Sequence, residues 1–399
     1  MSHALIARSS DLRRLQDEGY TLRIVDQAYL FVDNVPYVTA QGEVNKAALV
    51  TSLTLSDGLT VTPDTHVAHW TGEFPHCANG EKLIALLDEG TVKSSLSDSL
   101  PTAFQFSAKP DGGAYRNYHH KVTTYAEILG REARQLDPNA TAQQWRVTTD
   151  HEDDESVFHF ADTASARQNT TDLARKLQPE RVAIVGAGGT GSYVLDFVAK
   201  TWVREIHVFD DDPFLQHNAF RSPGPLAPGE IEGGPIKSTL HASRYMSMHK
   251  GIVAHETCID DTNVGHLGDF DTVFLCIDGH PIKAKILEIC LANETLLIDV
   301  GMGLHRAGDS LAGTLRTTAF HSGHRDHAEH CMDLAGDDAK GEYDRNAQFA
   351  ELNALNAALA VIKWKKVRGF YNDLERELNC EYVINGNRLM NAFCLGSPS

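Results

Sequence analysis

The stretch VAIVGAGGTGSYVLDFVAK, Val182 to Lys200, is an apolar run that breaks into glycines and resumes as a helix-like pattern. Few backbone paths accommodate such a run. The one that fits is a strand, a tight turn and the N-terminus of a helix. Gly186, Gly188 and Gly191 match G-x-G-x-x-G, and Gly189 makes a second consecutive glycine. In that pattern the first glycine permits the turn, the second lets a phosphate approach the backbone, and the third lets helix meet strand. The helix N-terminus adds free N–H groups and the positive end of a dipole. Asp210 ends the next strand-like run, EIHVFDDD, where an acid can grip a ribose hydroxyl. Taken alone, the loop implies a nucleotide, with NAD the default choice. A glycine turn that binds nothing is the alternative.

The rhythm around the loop is β-α-β. RVAIVGA, EIHVFDDD, GIVAHETC, DTVFLCID, TLLIDVG and AGTLRTTAF read as strands. SYVLDFVAKTW, KSTLHASRYMSMHK and PIKAKILEICLANE read as helices between them. FAELNALNAALAVIKWKK is a further helix, with Leu352, Leu355, Leu359 and Ile362 on one side. Near-continuous apolar strands alternating with helices give an α/β fold whose mainly parallel sheet is covered on both faces. The polar, acidic stretch Asp137 to Thr170 precedes it and reads as a linker. The expected division is a smaller α+β domain over 1–145, a linker over 146–165 and the α/β domain over 166–399. In the first of these, Thr21–Thr39 and Asp64–Pro75 look like short strands and Glu81–Asp88 is a short apolar stretch. Tyr118–Leu136 has helical spacing at Val122, Tyr125, Ile128, Leu129 and Ala133.

A formal net charge of −18 argues against duplex nucleic acid or an anionic membrane as the main partner. Seven scattered cysteines without a C-x-x-C pair suit a reducing compartment. The first twenty residues lack a signal-peptide core, and no run approaches the roughly 18–20 apolar residues of a membrane span. A cytoplasmic protein is expected.

The residues beyond Asp210 do not suit a hydride-transfer site. Asp212, Asn218 and Arg221 lie in VFDDDPFLQHNAFRSPG, Lys237 in GGPIKST, and Asp278 at the end of TVFLCIDG. Arginine and lysine neutralise phosphate charge that builds in a transition state. An aspartate can hold magnesium against phosphate oxygens. In order and type, GAGGTGS, the acids, N-A-F-R, Lys237 and Asp278 resemble the adenylation domain of ubiquitin-activating-type enzymes, which includes the ThiF-type adenylyltransferases. The resemblance spans Arg167 to about Lys366. It implies that Gly186, Gly188, Gly189 and Gly191 cradle ATP and that Asp210 and Asp212 line its site, with Asp210 on the ribose. It further implies Asn218, Arg221 and Lys237 on the triphosphate and Asp278 on Mg. Arg167 sits where family members carry an arginine that reaches the ATP of a partner subunit, with Arg175 a competitor. The family usually has Gln after the Arg of Asn-x-x-Arg; here Ser222 and Pro223 occupy those positions.

The implied reaction is C-terminal adenylation of a ubiquitin-like protein by a homodimer, with a conjugating enzyme as a further partner. An NAD-dependent oxidoreductase and an inactive interaction platform are the alternatives. Many relatives pass the acyl group to a cysteine. Cys331, in HSGHRDHAEHCMDLAGDDAKGEY, is the candidate: an exposed segment is expected, and charged histidines nearby would lower its pKa. His321, His324, His327 and His330 with Cys331 also offer zinc-ligand types, though without the usual paired spacing. Cys258, Cys276 and Cys290 lie on strand or helix patterns and are expected in the core. The N-terminal domain resembles one found fused ahead of bacterial ThiF-type domains. There Cys77, in FPHCANG, is open to two readings: a reactive thiol, as a conjugating-enzyme-like domain would present, or a packed turn residue in a domain that binds modifier or target.

Overall fold

The computed structural model describes residues 2–83, 95–97, 100–147, 156–278, 281–322, 324, 327–332 and 347–395. Beyond Leu83, the apolar stretch expected up to Asp88 lies outside the described residues, as does most of the acidic run after Val147 and the end of the Cys331 segment. The chain divides into two compact units, 1–152 with 160–171, and 153–159 with 172–399.

The first unit opens with helices α1 (Ser2–Arg8) and α2 (Ser10–Asp17). Five strands come next: β1 (Thr21–Val25), β2 (Tyr29–Val38), β3 (Val44–Ser52), β4 (Val67–Trp70) and β5 (Phe104–Ser107). They pair in sequence order as an antiparallel meander. Helix α3 (Tyr118–Leu136) covers the sheet. Its start is fixed by Asn117, whose side chain accepts from the His120 N–H. Tyr118, Val122, Tyr125, Leu129 and Ala133 recur at three- and four-residue spacing and are buried, as an amphipathic helix on a sheet requires. The short helix α4 (Thr163–Gln168) belongs to this unit.

The second unit holds a sheet of eight strands among the described residues. They are β6 (Arg181–Val185), β7 (Glu205–Phe209), β8 (Ile252–His255), β9 (Thr272–Leu275), β10 (Leu296–Ala307), β11 (Ser310–Phe320), β12 (Glu377–Val383) and β13 (Arg388–Cys394). Their order is β8-β7-β6-β9-β10-β11-β12-β13. The first five pair in parallel and the rest antiparallel. Helices α5 (Gly189–Val198), α6 (Lys237–Met246) and α9 (Ala350–Val367) bury one face around Val182, Ile184 and Trp364. On the other face α7 (Ile282–Ala292) and the short α8 (Ala328–Cys331) pack around Val185, Val273 and Leu297. This is the α/β, mainly parallel, doubly covered sheet that the strand pattern implies. From β6 the chain winds outward through β7 and β8, then returns to place β9 on the other side of β6. That reversal opens a crevice at the carboxyl ends of β6 and β9, where open α/β sheets bind ligands.

On α9 the buried side is not the leucine side. Asn353, Asn356, Ala357, Ala360, Val361 and Trp364 face inward. Leu352, Leu355 and Leu359 are half-buried, and Ile362 is 42% exposed.

Candidate nucleotide site

The glycine loop leaves β6 at the reversal point. Gly186 has φ +91°, a conformation open to glycine, and a Cβ there would lie 2.8 Å from the Cys276 carbonyl oxygen. A Cβ on Gly191 would overlap the Gly186 carbonyl oxygen, so the third glycine sets how closely α5 meets the strand. Gly188, at the N-cap of α5, faces open space. The three positions divide the labour as the pattern requires.

Asp210 closes the loop from the end of β7. Its Oδ2 accepts from the Ala187 N–H at 2.7 Å and its Oδ1 from the Asp212 N–H at 3.0 Å. Burial pushes its carboxyl up, while Lys237 and the two amides pull it down. The side chain therefore braces the glycine loop as well as lining the crevice. Lys237 begins α6 and is mostly buried. Its Nζ donates to Asp212 Oδ2 at 2.6 Å and lies 3.9 Å from Asp210 Oδ1. Its backbone N–H donates to the Asp212 carbonyl at 2.9 Å.

Asn218 is buried in a 3-10 turn, Gln216–Phe220. Its Oδ1 accepts from the Leu215 N–H at 2.8 Å, and its carbonyl accepts from Ser222 Oγ at 2.8 Å. This tight turn presents Arg221. The Nε of Arg221 is buried with no hydrogen-bond partner. Leaving such a donor unsatisfied costs about 1–3 kcal/mol, which an anionic oxygen would recover. Asp278 is exposed just after β9. Together with Gly186, Asp210, Asp212 and Asp260 it lines a cavity of about 430 Å³. Asn353 joins the site without any motif to mark it in the sequence. From α9 its Nδ2 donates to the Arg221 carbonyl at 3.1 Å, and its Oδ1 accepts from Thr190 Oγ1 at 3.2 Å.

Two further expected members are Arg167 and Cys331. Arg167 is on α4 in the first unit, ion-paired with Asp17 of α2. Cys331 corrects the sequence reading: the exposed, low-pKa thiol expected there is a buried one, 3% exposed. The reason is packing. Helix α8 folds back so that Ala328 and Met332 join the cluster of Phe320 and Leu297. His327 stacks on Phe320 with ring centroids 4.6 Å apart and donates from Nε2 to the Ala319 carbonyl. Burial pushes the Cys331 thiol up, against a smaller pull from Arg316. Among the described residues no group of three or more His, Cys, Asp or Glu is placed to hold a metal ion, so the histidines near Cys331 form no zinc site there. Cys258, expected in the core, is exposed at the rim of the 430 Å³ cavity. Cys77 is half-buried in a turn in which the Cys77 N–H donates to the Glu81 carbonyl. Burial and the carboxylates of Glu132 and Glu81 push its thiol up.

Residues 163–357 match the model of the ThiF family. Residues 10–163 match a domain of unknown function, DUF6791. The tRNA threonylcarbamoyladenosine dehydratase of Haemophilus influenzae is 25% identical over 143 residues, which make up 34% of this chain and 52% of that protein. The chain thus spans about half the length of that relative. Among solved structures, E. coli MccB with ATP aligns at a TM-score of 0.45 and 17% identity, over 59% of this chain and 70% of that one. PaaA aligns at 0.44 and 16% identity, over 56% and 75%. The ThiF match thus falls mostly on the second unit and covers just under half of the chain. No described helix is long and apolar enough to cross a membrane.

Proposed function

We propose that this chain uses ATP to adenylate the C-terminal carboxylate of a ubiquitin-like protein, with the chemistry in the crevice between β6 and β9. The observation that carries the reading is the unpartnered, buried Nε of Arg221, a residue whose backbone carbonyl one asparagine ties to the start of α5. A dinucleotide loop has no use for a buried guanidinium at that place. A triphosphate has.

In this reading the glycine loop and the N–H groups at the start of α5 receive phosphate oxygens. Arg221 and Lys237 neutralise the charge that builds as pyrophosphate departs. Lys237 is poised for this, since its ion pair with exposed Asp212 can exchange for phosphate. Asp210 and Asp212 face the ribose side. A magnesium ion suits Asp278: it is exposed, lines the cavity, and magnesium takes one or two carboxylates plus phosphate oxygens. Bound there, it would offset phosphate charge. A substrate carboxylate oxygen attacks the α-phosphorus and forms a new P–O bond. The bond from that phosphorus to the bridging oxygen breaks, and the electron pair leaves with pyrophosphate. The attacking carboxylate is already ionised, so no general base is required, and the chain's contribution is positioning and charge.

The half-buried leucine side of α9 and exposed Ile362 support a homodimer, since a stripe of this kind is normally covered. Arg167 would then complete the site of the partner subunit. Buried Cys331 and the raised thiol of Cys77 favour the acyl-adenylate over an enzyme thioester as the product handed on. The first unit is assigned to binding the modifier, its target or a conjugating enzyme. The seven cysteines, all unpaired, fit a cytoplasmic setting.

Pyrophosphate exchange tests the proposal. Labelled pyrophosphate should enter ATP only when a ubiquitin-like protein with a free C-terminal carboxylate is present. Exchange that persists when that carboxylate is amidated would count against a protein substrate.

A further inference from the structure

Asn353 is 0% exposed, yet nothing about helix α9 calls for a polar group at that position. Of its inward neighbours, Ala357, Ala360 and Val361 are apolar, while Asn356 and Lys363 are polar and have partners of their own. Part of the reason is stability, because the Arg221 backbone carbonyl needs a donor that no substitution elsewhere removes. The rest lies in which elements the amide joins. The side chain joins three elements at once: α9 itself, Thr190 in the first turn of α5, and the backbone carbonyl of Arg221. The fit is close, because a Cβ on Gly189 would overlap the Asn353 amide. That overlap gives the second consecutive glycine a role of its own. The same hypothetical Cβ would come within 2.6 Å of Gln348 Oε1, a buried acceptor without a partner. Polar groups of α9 and of the residue before its N-cap thus converge on the glycine loop, and Asn353 also holds the backbone of Arg221.

Resting on the ATP reading above, we propose that Asn353 is a positioning residue for the triphosphate. By fixing the Arg221 carbonyl against α5, it sets the direction in which the guanidinium leaves the backbone relative to the glycine loop. It touches no substrate itself and acts through Arg221.

Calorimetric titration of the full chain with Mg·ATP and, separately, with adenosine tests this. Asn353→Ala should weaken ATP about tenfold and adenosine less than about twofold, because adenosine has no phosphates for Arg221 to meet. Asn353→Asp keeps the size and the acceptor for Thr190 but sets a carboxylate oxygen against the Arg221 carbonyl, and should behave the same way. It serves as the second variant if the alanine protein folds poorly. In an Arg221→Lys background, which loses the planar fork, the further loss from Asn353→Ala should shrink to under about threefold. Equal losses for ATP and adenosine, or losses that multiply fully in the double variant, would overturn the proposal. A wild-type protein that binds no ATP would instead overturn the functional reading on which it rests, and this inference with it.

Discussion

The crevice at the glycine loop and the neighbourhood of Cys331 lie on the same sheet, and both are rich in charged groups. They treat those groups in opposite ways. At the crevice, charges are held part-way: Lys237 is tied to an exposed aspartate, and Arg221 keeps a buried donor unused. At Arg316, whose charge also acts on the Cys331 thiol, the carboxylate partner is closed off. Asp299 on β10 is fully buried, and it accepts from Lys283 Nζ at 2.8 Å and from Arg316 Nη2 at 2.6 Å. Arg316 reaches it across Gly301, its partner in the β10–β11 ladder, where the lack of a side chain leaves room. A group that must meet a ligand is left with something to gain. A carboxylate that holds strands together, like Asp299, has its counter-charges within the fold, although Arg316 Nε, like Arg221 Nε, is buried without a hydrogen-bond partner. Cys331 sits on the second side of that divide, which is why a reactive residue type there does not make a reactive site.

The largest effect should come from breaking the closed network. Asp299→Ala would leave the Lys283 ammonium buried without its counter-ion, at a cost of about 3–5 kcal/mol. Urea unfolding monitored by circular dichroism should show a lowered midpoint. A midpoint within error of the wild type would mean the network is not as closed as its burial implies. The next effect falls at the crevice. Arg221→Ala should lower pyrophosphate exchange by about 10²–10³-fold while stability stays within about 0.5 kcal/mol of wild type, as fits a group whose partner is a ligand. Equal damage to stability would move Arg221 into the structural class.

Thiol reactivity should separate the two regions further. Exposed Cys258 and Cys394 should react with a maleimide before buried Cys331. The Cys331 thiol is raised by burial, so its thiolate fraction is small near neutrality and grows as pH rises. Its labelling rate should therefore climb steadily from pH 7 to pH 9. Fast labelling at pH 7 would restore it as a candidate nucleophile. The smallest effect is the exchange rate of Cys331→Ser, expected within about twofold of wild type, because adenylation needs no thiol.

Local patterns in the sequence marked the crevice well. Three glycines at fixed spacing, an acid at the next strand end and a lysine opening a helix are each legible because they lie near one another along the chain. Asn353 was not legible. It lies more than a hundred residues beyond the loop it braces, and the same helix offered a plainer stripe in Leu352, Leu355 and Leu359. The buried side is instead the asparagine and alanine side, because there each amide finds a particular partner. Asn356 does the same as Asn353, donating to the Gly301 carbonyl at 3.0 Å. Hydropathy ranks such residues as polar and outward, and only the contacts reverse that. Cys331 failed for a related reason: a polar, histidine-rich run suggests an exposed loop, but His327 and its neighbours fold onto Phe320 and carry the cysteine inward.

The central claim is that this site cleaves ATP between its α- and β-phosphates to activate a carboxylate. The direct measurement is the fate of ATP labelled at the α-phosphate, incubated with the full chain, magnesium and a ubiquitin-like protein. The label should appear as AMP, or as AMP joined to the protein's C-terminus, with one pyrophosphate released for each. Label recovered as ADP with free phosphate would contradict the claim.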